Sequence, residues 1–139
     1  MVGNASLPLT NEGTIDGDAS GQTISVTGSS VTNLGTLAAE GGGGVNVANL
    51  TGNANTLSLA DNGSSLTLNG ANYVINQSLT APAGATATFK GTWTIAAGSI
   101  LSAAGGTLGL GDPSNSSTNS WTNAGAVNPR GCAEAMKRA

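Results

Sequence analysis

At 139 residues the chain has room for one domain, and with charged side chains at 8% and aromatics at 3% it lacks the large rings that fill a wide core. So little charge is also the opposite of the charge-rich composition that keeps chains disordered. A net charge of −3, no His and a single Cys132 argue against nucleic-acid binding, against acid–base chemistry run by imidazole and against an internal disulfide.

Gly, Ala, Thr, Ser and Asn fill 90 of the 139 positions. Among them Val, Ile and Leu recur in pairs one small residue apart, as in Ile24-Ser25-Val26, Leu57-Ser58-Leu59 and Leu66-Thr67-Leu68. That is strand alternation with one buried face. The supply of apolar side chains suits a narrow core, one coil of chain wide, filled by stacked aliphatic residues.

In chain order, residues 1–8 read as a lead-in. Met1-Val2-Gly3-Asn4 has neither a basic region nor an apolar stretch, so no signal peptide is expected, and the chain reads as a fragment of a longer exported protein or one with an engineered start. No run of 18 apolar residues is present, so no membrane span is expected. Residues 9–128 form the repeat body, with strands expected at 13–16, 23–27, 30–33, 35–38, 45–47, 56–60, 65–68, 72–75, 86–89, 92–95, 99–102, 107–110 and 120–127.

One phrase recurs in this body: Leu9-Thr10-Asn11-Glu12-Gly13-Thr14-Ile15, Val31-Thr32-Asn33-Leu34-Gly35-Thr36-Leu37, and Trp121-Thr122-Asn123-Ala124-Gly125-Ala126-Val127. Asn33 follows Asn11 by 22 residues, and Asn55 and Gln77 fall on the same step. Asn123 lies four steps of about 22 to 23 beyond Asn33. A fixed period of this size marks a solenoid. Stacking the coils sets Asn11, Asn33, Asn55, Gln77 and Asn123 into a structural amide ladder. Gly13, Gly35 and Gly125 are expected to turn the chain with left-handed backbone angles. Leu9, Ile15, Val31, Leu37, Leu57, Leu68, Ile95 and Val127 are expected to point inward.

Two stretches interrupt the pattern. Gly41 to Gly44 is expected to project as a flexible loop, and Asp112 to Asn119 to form a polar loop before the third phrase. From Pro129 the composition changes: three of the four basic residues and the only Cys lie in 129–139, read as a non-repeat basic tail.

Candidate chemistry is sparse. Asp16-Gly17-Asp18-Ala19-Ser20-Gly21 has the oxygens of the first half of a calcium loop, with Asp16, Asp18 and Ser20 as candidate ligands. Its twelfth position is Thr27 rather than the bidentate Glu, so the stretch is read as a polar turn and no cofactor is expected. Six scattered acids and Lys90 in the body make a poor kit for general acid–base catalysis, and no enzyme activity is expected. Trp93 and Trp121 are candidate glycan contacts; the competing reading puts them inside the core or at its end.

The three phrases, with Gly91-Thr92-Trp93-Thr94-Ile95-Ala96-Ala97-Gly98-Ser99 and Gly105-Gly106-Thr107-Leu108-Gly109-Leu110-Gly111, resemble the repeats of filamentous-haemagglutinin-like adhesins and autotransporter passenger domains, over roughly residues 7–128. The resemblance implies an all-β, right-handed parallel β-helix of about five to six coils. It also implies a stalk or adhesive surface outside the cell, meeting a host or environmental surface. Two alternatives stand beside this: a glycan- or ice-binding module using flat rows of Thr, such as Thr86/Thr88 and Thr92/Thr94, and a β-helix polysaccharide-degrading enzyme. The open edges of the terminal coils suggest end-to-end self-association.

Overall fold

The computed structural model describes residues 1–112 and 119–128. The expected polar loop between Asp112 and Asn119 falls mostly outside the described residues, and the basic tail 129–139 with Cys132 wholly so.

The described chain is all-β, a parallel β-solenoid of about five turns. Fifteen strands wind around three faces. The first face stacks β1 (Val2–Asn4), β4 (Thr23–Gly28), β7 (Gly44–Leu50), the first half of β9 (Ser65–Ile75), the first half of β11 (Thr86–Ile95) and β13 (Thr107–Leu110). The second carries β2 (Leu9–Asn11), β5 (Val31–Asn33), the end of β7, the second halves of β9 and β11, and β14 (Ser120–Asn123). The third carries β3 (Thr14–Gly17), β6 (Thr36–Ala39) and β8 (Thr56–Leu59), then β10 (Leu79–Pro82), β12 (Ile100–Ala104) and β15 (Ala126–Asn128). Strands pair in parallel with those a coil away, except between β8 and β10, where the third face divides into two three-stranded sheets.

Period-two alternation decides what faces inward. On the first face Val26, Val47, Leu68 and Phe89 stack in one inward column, and Val45, Leu66, Ala87 and Leu108 in the next. On the third, Ile15, Leu37 and Leu57 are in register, as are Leu101 and Val127. All eight residues expected inward lie in this core or pack against it.

Several local expectations are corrected. Residues 2–4 are no lead-in, because β1 pairs with β4. Strands expected separately at 65–68 and 72–75 are one strand, as are 86–89 and 92–95; each bends across two faces near Gly70 and Gly91. Gly41 to Gly44 do not project. Gly43 and Gly44 are buried, Gly44 opens β7, and a Cβ on Gly43 would fall 2.3 Å from the Gly17 carbonyl. The missing side chains let two coils touch backbone to backbone.

Left-handed geometry also lies elsewhere than expected. Gly13, Gly35 and Gly125 do not have positive φ. Gly35 is required by proximity instead, since a Cβ there would sit 1.9 Å from the Gly13 carbonyl. Five of the left-handed residues form a column at the corner between third and first faces: Gly21, Gly42, Gly63, Gly84 and Gly105, each 21 residues after the last, all with φ between 60° and 90°. At that corner the Gly21 N–H donates to the Gly42 carbonyl (3.1 Å) and the Gly63 N–H to the Gly84 carbonyl (3.0 Å), so the turns stack like the strands.

Candidate functional site

The amide ladder begins as the phrases suggest and then departs. Asn11 Nδ2 donates to Asn33 Oδ1 at 2.8 Å and lies 3.1 Å from the Thr36 carbonyl, while the Gly13 N–H donates to Asn11 Oδ1 (3.2 Å). Asn33, fully buried, donates through Nδ2 to the carbonyls of Ala54 (2.6 Å) and Gly35 (3.1 Å). In the next coil the inward place belongs to Ala54. Asn55 sits one position further on with φ of 58°, and its amide donates back to the Asn33 carbonyl. Asn76 then exchanges hydrogen bonds with Asn55, accepting from its backbone N–H (2.8 Å) and donating to its Oδ1 (3.1 Å). Gln77 is exposed, one residue out of step, because the coil has shortened from 22 residues to 20 or 21. Asn123 pairs with Ile95 and is exposed. The buried side-chain ladder is therefore one rung, Asn11 to Asn33.

The stretch read as half a calcium loop begins inside a strand. Asp16 and Gly17 lie in β3, paired with Ala38 and Ala39, so the chain is extended where such a loop would wrap an ion. Asp16, Asp18 and Asp61 all lie close enough to Glu40 to act on its charge, Asp16 half-buried and the others exposed. The Asp16 carboxylate is the main reason the Glu40 carboxyl holds its proton above the ordinary glutamate range. Slight desolvation, a hydrogen bond with Asp16, and then Asp61 and Asp18 push the same way. Asp61 Oδ2 accepts from the Gly41 N–H at 3.0 Å, tying two coils.

The aromatic residues form an internal stack. Trp93 lies between Tyr73 and Trp121, with ring centres 6.2 Å and 5.0 Å away and planes within 12° and 6° of parallel. Phe89 leans on it at 5.1 Å. With Trp93 only 2% exposed and rings on both faces, no face remains for a sugar, which corrects its candidacy as a glycan contact. Trp121, half-buried, spends one face on Trp93. The Tyr73 hydroxyl reaches the Lys90 carbonyl at 2.9 Å and the Leu68 carbonyl at 3.2 Å, and burial raises its pKa further than that bond lowers it.

Two outward features remain. The first face presents two rows of small neutral side chains across five coils: Thr23, Gly44, Ser65, Thr86, Thr107, and Ser25, Asn46, Thr67, Thr88, Gly109. Rungs lie about 4.8 Å apart, and the two rows about 6.7 Å apart. On the second face a hollow of about 230 Å³ is lined by Asn72, Thr92, Trp93, Thr94, Ser120, Trp121 and Thr122. The sequence advertised the Thr pairs at 86/88 and 92/94. It hid the hollow, because Ser120 and Thr122 meet Thr92 and Thr94 across a step of 28 residues.

No protein-family model, curated protein or solved structure matches this chain.

Proposed function

We propose that this β-solenoid is a structural segment of a bacterial surface protein of the filamentous-haemagglutinin or autotransporter-passenger kind, exported as part of a longer chain, that extends and displays an adhesive surface. The observation that carries the reading is the pair of in-register rows of small uncharged residues on the first face, seven of their ten places holding Ser or Thr. These rows are uncharged and backed by a core that depends only on stacking, so their exposed residues are free to serve contact with a surface. Of the four acids gathered at the Glu40 corner, Asp18, Glu40 and Asp61 are exposed and Asp16 is half-buried, and the hollow on the second face is lined by none of them, which gives an enzymatic reading little support.

The test is adhesion. Beads coated with the chain should hold to cell or mineral surfaces under flow, and Thr23→Lys, Thr67→Lys and Thr88→Lys together should release them with the melting temperature kept. Coated beads that detach as readily as albumin-coated ones would overturn the adhesive reading. The same rows favour a second reading, an ice-binding module: hydroxyls repeating from coil to coil at Ser65, Thr67, Thr86 and Thr88 can order water as a lattice would. Inhibition of ice recrystallisation by the wild-type chain and not by the triple variant checks it.

A further inference from the structure

The hollow on the second face has features that the flat rows lack. Thr92, Thr94, Ser120 and Thr122 alternate with Trp93 and Trp121, whose rings stack on one another, so the four hydroxyls face out while both Trp residues also line the hollow. The Asn72 backbone, held at φ of 59°, donates its N–H to Thr92 Oγ1 at 2.8 Å, and that hydroxyl lies 3.3 Å from Asn72 Oδ1. Thr94 and Thr122 share a hydrogen bond at 2.9 Å. The side chains are thus pinned in place by one another before any ligand arrives, which lowers the ordering cost of binding.

The lining also selects a chemistry. Among the described residues its lining carries no carboxylate, Lys or Arg, so these residues offer nothing to a charged group. It does carry unspent hydrogen-bonding capacity: each Thr oxygen keeps a lone pair, and the Asn72 side-chain N–H₂ and Ser120 hydroxyl are uncommitted among the described residues. Neutral donors and acceptors facing one small space match a ligand that is itself neutral and both donates and accepts. At about 230 Å³ the hollow falls below the ~300–1,000 Å³ of pockets that enclose drug-sized molecules. One ring fits that volume.

We propose that this hollow binds a single neutral pyranose unit through its hydroxyls, the terminal sugar of a surface glycan. The proposal rests on the display reading and names its ligand class and its site. The sugar lies over the Thr92–Thr94 and Ser120–Thr122 strands, with Asn72 at its rim. Hydrogen bonds from these side chains hold it, and the dissociation constant falls in the ~mM range. Affinity then depends on many chains displayed together.

The experiment is an NMR titration of the isotope-labelled full chain with the methyl glycosides of glucose, galactose, mannose and N-acetylglucosamine. At least one should give saturable shifts at the amides of Asn72, Thr92, Thr94, Ser120 and Thr122. Thr94→Val and Thr122→Val should each weaken that binding about 5- to 10-fold, and Ser120→Tyr, which fills the hollow, should abolish it while the melting temperature holds. Absence of saturable shifts with all four sugars, or shifts confined to the Thr23 and Ser25 rows, would overturn the site. Bead adhesion is scored separately. Sugar binding without adhesion overturns the display reading alone, and adhesion without sugar binding overturns the hollow alone.

Discussion

The first two coils and the last three solve the same packing problem with opposite materials. In the first two, the second face turns a pair of amides inward, Asn11 on Asn33, each bonded to backbone carbonyls of its own or the next coil. In the last three, the same face turns in Tyr73, Trp93 and Trp121 as parallel rings. Between them lies Ala54, too small to do either. Amides hold by directional bonds that become costly when one partner is lost, whereas rings hold by area and tolerate small shifts. A narrow solenoid can thus change its filling along its length without changing its winding, because each layer answers only to its neighbours.

The sharpest way to break the ring half is Trp93→Ala. It removes the middle of the stack and should cost about 3–5 kcal/mol, measured by urea unfolding; a loss under about 1 kcal/mol would mean that the stack is incidental. For the amide half the matching change is Asn33→Ala. It strands the Asn11 amide and the Ala54 carbonyl, and should cost about 2–3 kcal/mol at 1–3 kcal/mol per unpaired buried group. Asn11→Ala with Asn33→Ala should lose less than the sum of the singles, since they share one bond. Additive losses in that cycle would deny the rung. Tyr73→Phe sits on the boundary of the two materials, a ring with a hydrogen bond. Keeping the ring and losing the bond should cost only about 0.5–1.5 kcal/mol, readable as a small drop in melting temperature.

The smallest effect concerns pH and falls on the first three coils. Glu40 holds its proton more tightly folded than unfolded, with Asp16 as the main cause. Stability should therefore rise as pH falls from neutral through the range just above the ordinary glutamate value, and be lost again as pH climbs. Glu40→Gln should flatten this part of the melting-temperature profile. A profile unchanged by that substitution would show that the acidic corner is fully screened by solvent.

The winding was legible because a coil closes at nearly constant length. Two phrases 22 residues apart gave true partners at Leu9/Val31, Asn11/Asn33 and Ile15/Leu37. Extending that step failed at Gln77 because coils shorten to 20 or 21 residues, and a slip of one residue turns a side chain from core to solvent. The glycine column from Gly21 to Gly105 held the better period. It was masked by 22 glycines in the chain, most of them elsewhere. The third phrase matched in wording, yet its Trp121 meets Trp93 across 28 residues, so the aromatic stack and the hollow both escaped a fixed-step reading.

The register of the strands has a consequence for how the molecule comes into being. β1, β2 and β3 find their partners in β4, β5 and β6, so the first two coils contain all they need once Ala39 has been made. After that the growing end always offers a row of unpaired backbone groups, and each fresh coil of about 21 residues, supplied every ~1–4 s by a ribosome, has a template waiting for it. The costly event is the first pairing of two coils; everything later is addition. A chain wound this way can be completed at the rate at which it is delivered, with little unpaired length exposed at any moment.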